Sequence, residues 1–139
     1  MSYANNLAPI ACLSGATAVA LGAFGAHSLK DRLSSYQQES WKTAVSYQLV
    51  HSGVLLLVAT LPALPSSSQA GGARSFAAAA LGSGIALFSG SIYGLCLTKE
   101  GDGIRKALGP ATPIGGLALI AGWVSLAVSF RGGIAPRLR

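Results

Sequence analysis

Charge is absent from four long stretches of this 139-residue chain, and that absence constrains the fold more than any motif does. The ten Lys/Arg and four Asp/Glu residues are confined to Lys30–Lys42, Arg74, Lys99–Lys106 and Arg131–Arg139. Between them lie the uncharged runs 1–29, 43–73, 75–98 and 107–130. A charged side chain at the centre of a bilayer costs at least roughly 2.5 to 3.5 kcal/mol on insertion scales. Each run exceeds the roughly 20 residues that cross a ~30 Å hydrocarbon core at 1.5 Å per residue.

A soluble chain of this length forms one small domain whose outer helix faces need charge, and none of the four runs offers such a face. Charged residues make up 10% of the chain, against about 25% in soluble domains, and 18 glycines accompany an apolar fraction of 51%. The expected fold is therefore all-α, a single integral-membrane four-helix bundle over residues 1–139 with short connections. The helices are placed at about Ala8–Ala26, Thr43–Leu61, Ser75–Leu97 and Pro113–Phe130.

The boundaries rest on local signals. Pro62, Pro65 and the Ser- and Gly-rich stretch to Gly72 close the second helix. Thr112 before Pro113 reads as an N-cap, because proline in the first helical position leaves no backbone donor unused. Leu29, Leu33 and Tyr36 stand at i, i+4 and i+7, which suits either a short amphipathic helix at the interface or a solvated loop.

The net charge of +6 would point to nucleic acid in a soluble domain. Here the bases flank membrane ends, so no nucleic-acid partner is expected; the lipid bilayer, with anionic lipids at the basic connections, takes its place. Six Lys/Arg on the first and third connections against four on the other side favour those connections facing cytoplasm or matrix. MSYANNLAPIACL lacks the basic n-region of a signal peptide, so the first run is expected to stay as a spanning helix. Cys12 and Cys96 lie in apolar runs without metal spacing and are expected to be small buried residues.

Small residues recur every four positions at Ser14, Ala18, Gly22 and Ala26, and again at Ala78, Gly82, Ala86, Gly90 and Gly94. Such stripes permit close backbone approach, so Gly22, Gly82, Gly90 and Gly94 are expected to pack against other helices. Polar residues also cluster in one half of the membrane: His27, Tyr47, Gln48, His51, Ser89, Tyr93 and Thr112. Depth counted from the first and third connections places His51 level with Ser89 and Tyr47 level with Tyr93. Tyr47, Gln48 and His51 share a face expected to point inward, with His51, Ser89 and Tyr93 converging near Tyr47 or Gln48 and a polar partner for His51 from another helix.

His27 and His51 differ in depth by an order of 12 Å, too much for two axial ligands on one haem iron. No carboxylate lies in any run, and no phosphate loop, nucleophile triad or zinc spacing is present, so no catalytic residue, metal or cofactor is expected.

In order along the chain stand Gly22-Ala-Phe-Gly-Ala-His27, Trp41-x-x-Ala-x-x-Tyr47-Gln48-x-x-His51, Phe88-Ser-Gly-Ser-x-Tyr93, Gly109-Pro-x-Thr-Pro-Ile-Gly-Gly116 and Gly122-Trp123. This series resembles the transmembrane protein 256 family, also called domain of unknown function 423, over almost the whole chain; only the basic tail Arg131–Arg139 departs from it. The resemblance implies a small multi-spanning protein of bacterial inner membranes or, in eukaryotes, of the mitochondrial inner membrane, with no assigned activity. The leading expectation is a non-enzymatic accessory or assembly component of a larger membrane complex, respiratory complexes included, in contact with other transmembrane subunits. The alternatives are a small transporter or channel with a polar site around His51, and a lipid- or quinone-binding protein with a groove beside Trp41 and Trp123.

Overall fold

The computed structural model describes residues 4–131, and the tail bases Arg137 and Arg139 lie outside them. Within that range the chain forms four α-helices: α1 Ala4–His27, α2 Ser35–Thr60, α3 Gln69–Leu97 and α4 Arg105–Phe130. All four are long and apolar enough to cross a membrane.

The helices start ahead of the positions expected from charge, while their C-terminal ends fall within one residue of them. A charge marks where a helix leaves hydrocarbon, whereas the helix itself ends where its backbone groups find other partners. Helix α2 starts at Ser35 because Ser34 and Gln37 form a capping box: the Gln37 amide donates to Ser34 Oγ at 3.3 Å and the Ser34 amide to Gln37 Oε1 at 2.9 Å. Helix α3 starts at Gln69, where Ser68 Oγ accepts from the Gly71 amide at 3.1 Å.

The Thr112–Pro113 start is corrected. Helix α4 begins at Arg105 and carries Pro110 and Pro113 in its interior. Each proline removes one ladder hydrogen bond, a defect tolerated in spanning helices where side chains re-satisfy the freed groups. Thr112 is accordingly a mid-helix residue whose hydroxyl donates back to Leu108 O at 3.3 Å.

The first connection is a run of turns, not an amphipathic helix. Leu29 and Leu33 are buried in it and pack with Trp41 and Cys96, but Tyr36 sits on α2 and is 82% exposed. Cys12 likewise departs from expectation: it is exposed on α1, whereas Cys96 is buried.

Among the described residues the helices pack backbone to backbone in chain order, α1 on α2, α2 on α3 and α3 on α4, while α2 and α4 are bridged only by long side chains, Trp123 reaching His51. The α3–α4 contact is the most extensive. Helix α1 has one neighbour only, and just 11% of its span is buried against 39% for α3.

Glycine shapes the α3–α4 contact, and of the glycines in the expected α3 stripe only Gly94 takes part in it. Leu119 sits where a Cβ on Gly84 would be, Leu81 does the same at Gly122, and Gly115 lies against the backbone of Leu87 and Phe88. These reciprocal knobs and holes join the main apolar core, in which Leu81 and Leu119 are both buried. Gly94 faces Leu108 and Gly22 faces Val45, yet Gly82 and Gly90 have nothing within 4 Å of an added Cβ. The stripe fails as a guide because α3 is small on every side around Ala77–Ala80, so small size does not select one face. At the other end of the row, Gly25 opens the space that the Trp41 indole fills.

Candidate intramembrane polar site

Gln48 is the centre of the polar site. It is 7% exposed, on the face of α2 that also buries Ala44, His51 and Ser52. Its Nε2 donates to Ser14 O at 2.9 Å and to Thr17 Oγ1 at 2.9 Å on α1. Its Oε1 accepts from the Tyr93 hydroxyl on α3 at 2.9 Å. One amide thus ties three helices at a single level, with both donors and the acceptor used. Ser52, one turn further on, donates to Gln48 O at 2.6 Å and lies 2.7 Å from the Ser14 hydroxyl.

Aromatic packing holds Tyr93 toward Gln48. The Trp41 ring lies 4.6 Å from the Tyr93 ring, and Trp41 Nε1 donates to Leu21 O on α1 at 2.9 Å. Trp41 is therefore an interior pin, 3% exposed, and not a lipid-facing anchor.

His51 belongs to a different constellation. Its Nδ1 is 2.6 Å from Tyr47 O, one turn back, and its Nε2 accepts from Trp123 Nε1 on α4 at 3.2 Å. A carbonyl only accepts and an indole N–H only donates, so the partners select the neutral imidazole with its proton on Nδ1. The Tyr47 ring does not turn inward beside Gln48. It stacks on Phe88 at 4.5 Å and on His51 at 5.6 Å, and it remains 43% exposed.

The expected convergence of His51, Ser89 and Tyr93 is therefore split into separate pairs. Tyr93 meets Gln48; His51 meets Trp123, its polar partner from another helix; Ser89 donates to Ala44 O at 2.8 Å; and Thr112 meets Ser91 at 2.7 Å. His27 stands apart, exposed at the end of α1. Depth counting placed Tyr93 opposite Tyr47, one residue from its partner, because the adjacent Gln48 is the side chain that faces α3 and α1.

Sequence reasoning missed Ser14 as a polar partner, and missed Thr17, Ser52 and Ser91 altogether. Counted from the helix ends at His27 and Ser35, Ser14 and Gln48 lie at equal depth, but that match needs the true start of α2. Chemically the site is a set of satisfied hydroxyl, amide and imidazole pairs. Among the described residues no three of His, Cys, Asp and Glu come together.

The Trp123–His51 bond has a measurable consequence. Trp123→Phe keeps an aromatic six-membered ring and removes the indole N–H with its five-membered ring, and loss of the hydrogen bond is expected to lower stability by about 0.6 kcal/mol, and by at most about 1.7 kcal/mol, the range for such bonds between spanning helices. Unfolding in mixed micelles checks this. In a His51→Leu background the hydrogen-bond part of this loss is expected to vanish.

Most of the residues that build this site fall within a family match, with Ser14, Thr17 and Trp123 outside it. The model described as "Protein of unknown function (DUF423)" matches residues 21–116. A UPF0382 membrane protein of Schizosaccharomyces pombe is 40% identical over 120 residues, covering 86% of this chain and 96% of its own length. The UPF0382 membrane protein YwdK of Bacillus subtilis is 35% identical over 122 residues, covering 86% of this chain and 91% of its own. A UPF0382 membrane protein of Staphylococcus aureus is 35% identical over 120 residues, covering 86% and 90%. No solved structure matches the chain. The family match takes in Trp41, Gln48, His51, Tyr93 and Thr112, and the relatives extend the likeness over most of the four spanning helices, so the chain is a multi-pass integral membrane protein that belongs to the DUF423 family.

Proposed function

We propose that this protein is a non-enzymatic accessory or assembly component that docks against larger subunits of a bacterial inner membrane or mitochondrial inner membrane. The observation that carries this reading is the open side of α3. Gly82 and Gly90 stand in line with Ala86, and neither glycine has an atom within 4 Å of an added Cβ. Association of spanning helices depends on close backbone contact, which such a line permits to a helix from another chain. The polar groups of the core are bonded among themselves, which suits a rigid docking element.

The test is purification of the tagged protein in gentle detergent, with recovery in a larger complex as the readout. Gly82→Leu and Gly90→Leu are expected to cut that recovery on the order of tenfold, a change of about 1.4 kcal/mol in association. The monomer itself is expected to keep its stability. A wild-type protein that never enters a larger species counts against the reading.

A small transporter is the second reading, favoured by a polar cavity of about 830 Å³ at the ends of α2, α3 and α4 that Arg105 flanks and Thr112 lines. Solute or ion flux in reconstituted vesicles separates it from the first.

A further inference from the structure

A slot of about 370 Å³ opens between the last turns of α1 and the first half of α2. Its floor is Gly22, Gly25 and Ala26, its wall is Trp41 and Val45, and Lys30 and Lys42 stand on its rim. An apolar groove beside a membrane span, with two ammonium groups at the end nearest the first connection, has the layout of an acyl chain below a phosphate. We propose that this slot is a binding site for an anionic phospholipid, with its phosphate held by Lys30 and Lys42 and the upper part of one chain lying along Ala26, Trp41 and Val45.

Three observations support that occupant. First, the rim carries uncompensated charge. The only ion pair among the described residues joins Lys42 to Glu39 at 2.6 Å, and both of its side chains are well exposed. An exposed i,i+3 pair of this kind is worth little and leaves Lys42 available to a phosphate, while Lys30 has no acidic partner. Secondly, the slot is already formed. Trp41 Nε1 is fixed on Leu21 O, and the Gln38 amide that borders the slot is fixed on Lys30 O at 2.8 Å and Leu33 O at 3.0 Å. A groove that need not order on binding loses less entropy when filled. Thirdly, Ser46, one turn below Lys42, lines the slot and makes no hydrogen bond among the described residues, unlike Ser40 and Ser52 on the same helix. Its hydroxyl is a donor at the level where the ester groups of a lipid would lie.

Each Lys near an anionic surface contributes about 1 kcal/mol, so the pair is expected to give a preference on the order of thirtyfold over a zwitterionic lipid. Trp41 is a built-in reporter, since the chain has two tryptophans and Trp123→Phe leaves one. The full-length Trp123→Phe protein is placed in phosphatidylcholine vesicles containing a small fraction of brominated phosphatidylglycerol or, in parallel, brominated phosphatidylcholine. The brominated anionic lipid is expected to quench Trp41 at about thirtyfold lower mole fraction. Lys30→Gln with Lys42→Gln is expected to abolish that difference, whereas Lys99→Gln with Lys106→Gln keeps it. Equal quenching by the two lipids, no quenching by either, or a preference that survives loss of Lys30 and Lys42 overturns the proposal. Displacement of the lipid by inorganic phosphate alone also overturns it, because the site would then be a free-anion site. If Trp123→Phe does not fold, native mass spectrometry of lipid retained by the wild-type protein and the lysine variants makes the same comparison.

Discussion

Alanine at position 115 is expected to push α3 and α4 apart and to lower stability by about 2 to 3 kcal/mol, near the upper end of the usual cost of one excess methyl group in a packed interior. The reason is the identity of the atoms in the way. A Cβ on Gly115 would overlap Phe88 N and lie 2.8 Å from both Leu87 C and Phe88 Cα, all of them backbone. A flexible side chain can rotate aside, but helix backbone cannot, so the two helices must separate. Separation also withdraws Leu119 from Gly84 and Leu81 from Gly122, which couples one methyl group to the whole contact. Gly115→Leu is expected to abolish a stably packed α3–α4 pair. The measurement is unfolding by denaturing detergent in mixed micelles, with Gly82→Ala and Gly90→Ala as controls. Neither control meets any atom within 4 Å, so both are expected to match the parent or to exceed it by up to about 1 kcal/mol, the helix preference of alanine over glycine. A Gly115→Ala protein as stable as those controls would show that the α3–α4 contact is wrongly placed.

The contrast between Gly115 and Gly90 also marks what the sequence could convey. The four spans were legible because excluding charge from hydrocarbon is a large single-residue effect that needs no partner. The helix starts were less so, since Lys42, Arg74 and Arg105 lie inside helices that continue through the headgroup layer. Which glycines pack was not legible on α3, where small residues occur on every side and only the position of α4 decides. On α1 a single neighbouring helix leaves less choice, and there the stripe residues Ala18 and Gly22 do lie toward α2, Ala18 fully buried and Gly22 against Val45.

The polar site shows the same division. Depth along the membrane is a one-dimensional quantity, and counting residues came within one position of the Gln48–Tyr93 pair. Direction around the helix depends on where neighbours stand. Tyr47, Gln48 and His51 share a face wide enough to meet several helices. That is why Gln48 turned to α1 and α3, His51 to α4, and Tyr47 to the stack with Phe88. Trp123 carried no polar expectation at all, because its role exists only once α4 comes within reach of α2.

Gln48→Leu is the second substitution expected to have a large effect, on the order of 2 kcal/mol from three interhelical hydrogen bonds at about 0.6 kcal/mol each, rising if the groups left behind cannot re-pair. The loss is unequal on the two sides. Thr17 Oγ1 also donates to Ser14 O at 2.9 Å, so the α1 groups keep one another when the amide is gone. The Tyr93 hydroxyl has no second hydrogen bond among the described residues and would be left unmatched, confined beneath Trp41. Leaving a donor unmatched costs more than removing both members of a pair, which predicts a sign that simple contact loss does not. Adding Tyr93→Phe to Gln48→Leu is therefore expected to restore stability by about 1 kcal/mol, although Tyr93→Phe alone destabilises the wild-type protein. Adding Thr17→Val is expected to restore nothing. A double-mutant cycle in mixed micelles measures this directly, with Thr112→Val as the unlinked control because Thr112 pairs with Ser91 on the other side of α3. Additive losses for Gln48→Leu and Tyr93→Phe would mean that the two side chains do not share a hydrogen bond in the membrane, and the link between α2 and α3 would have to be sought at Ser89 and the Ala44 carbonyl instead.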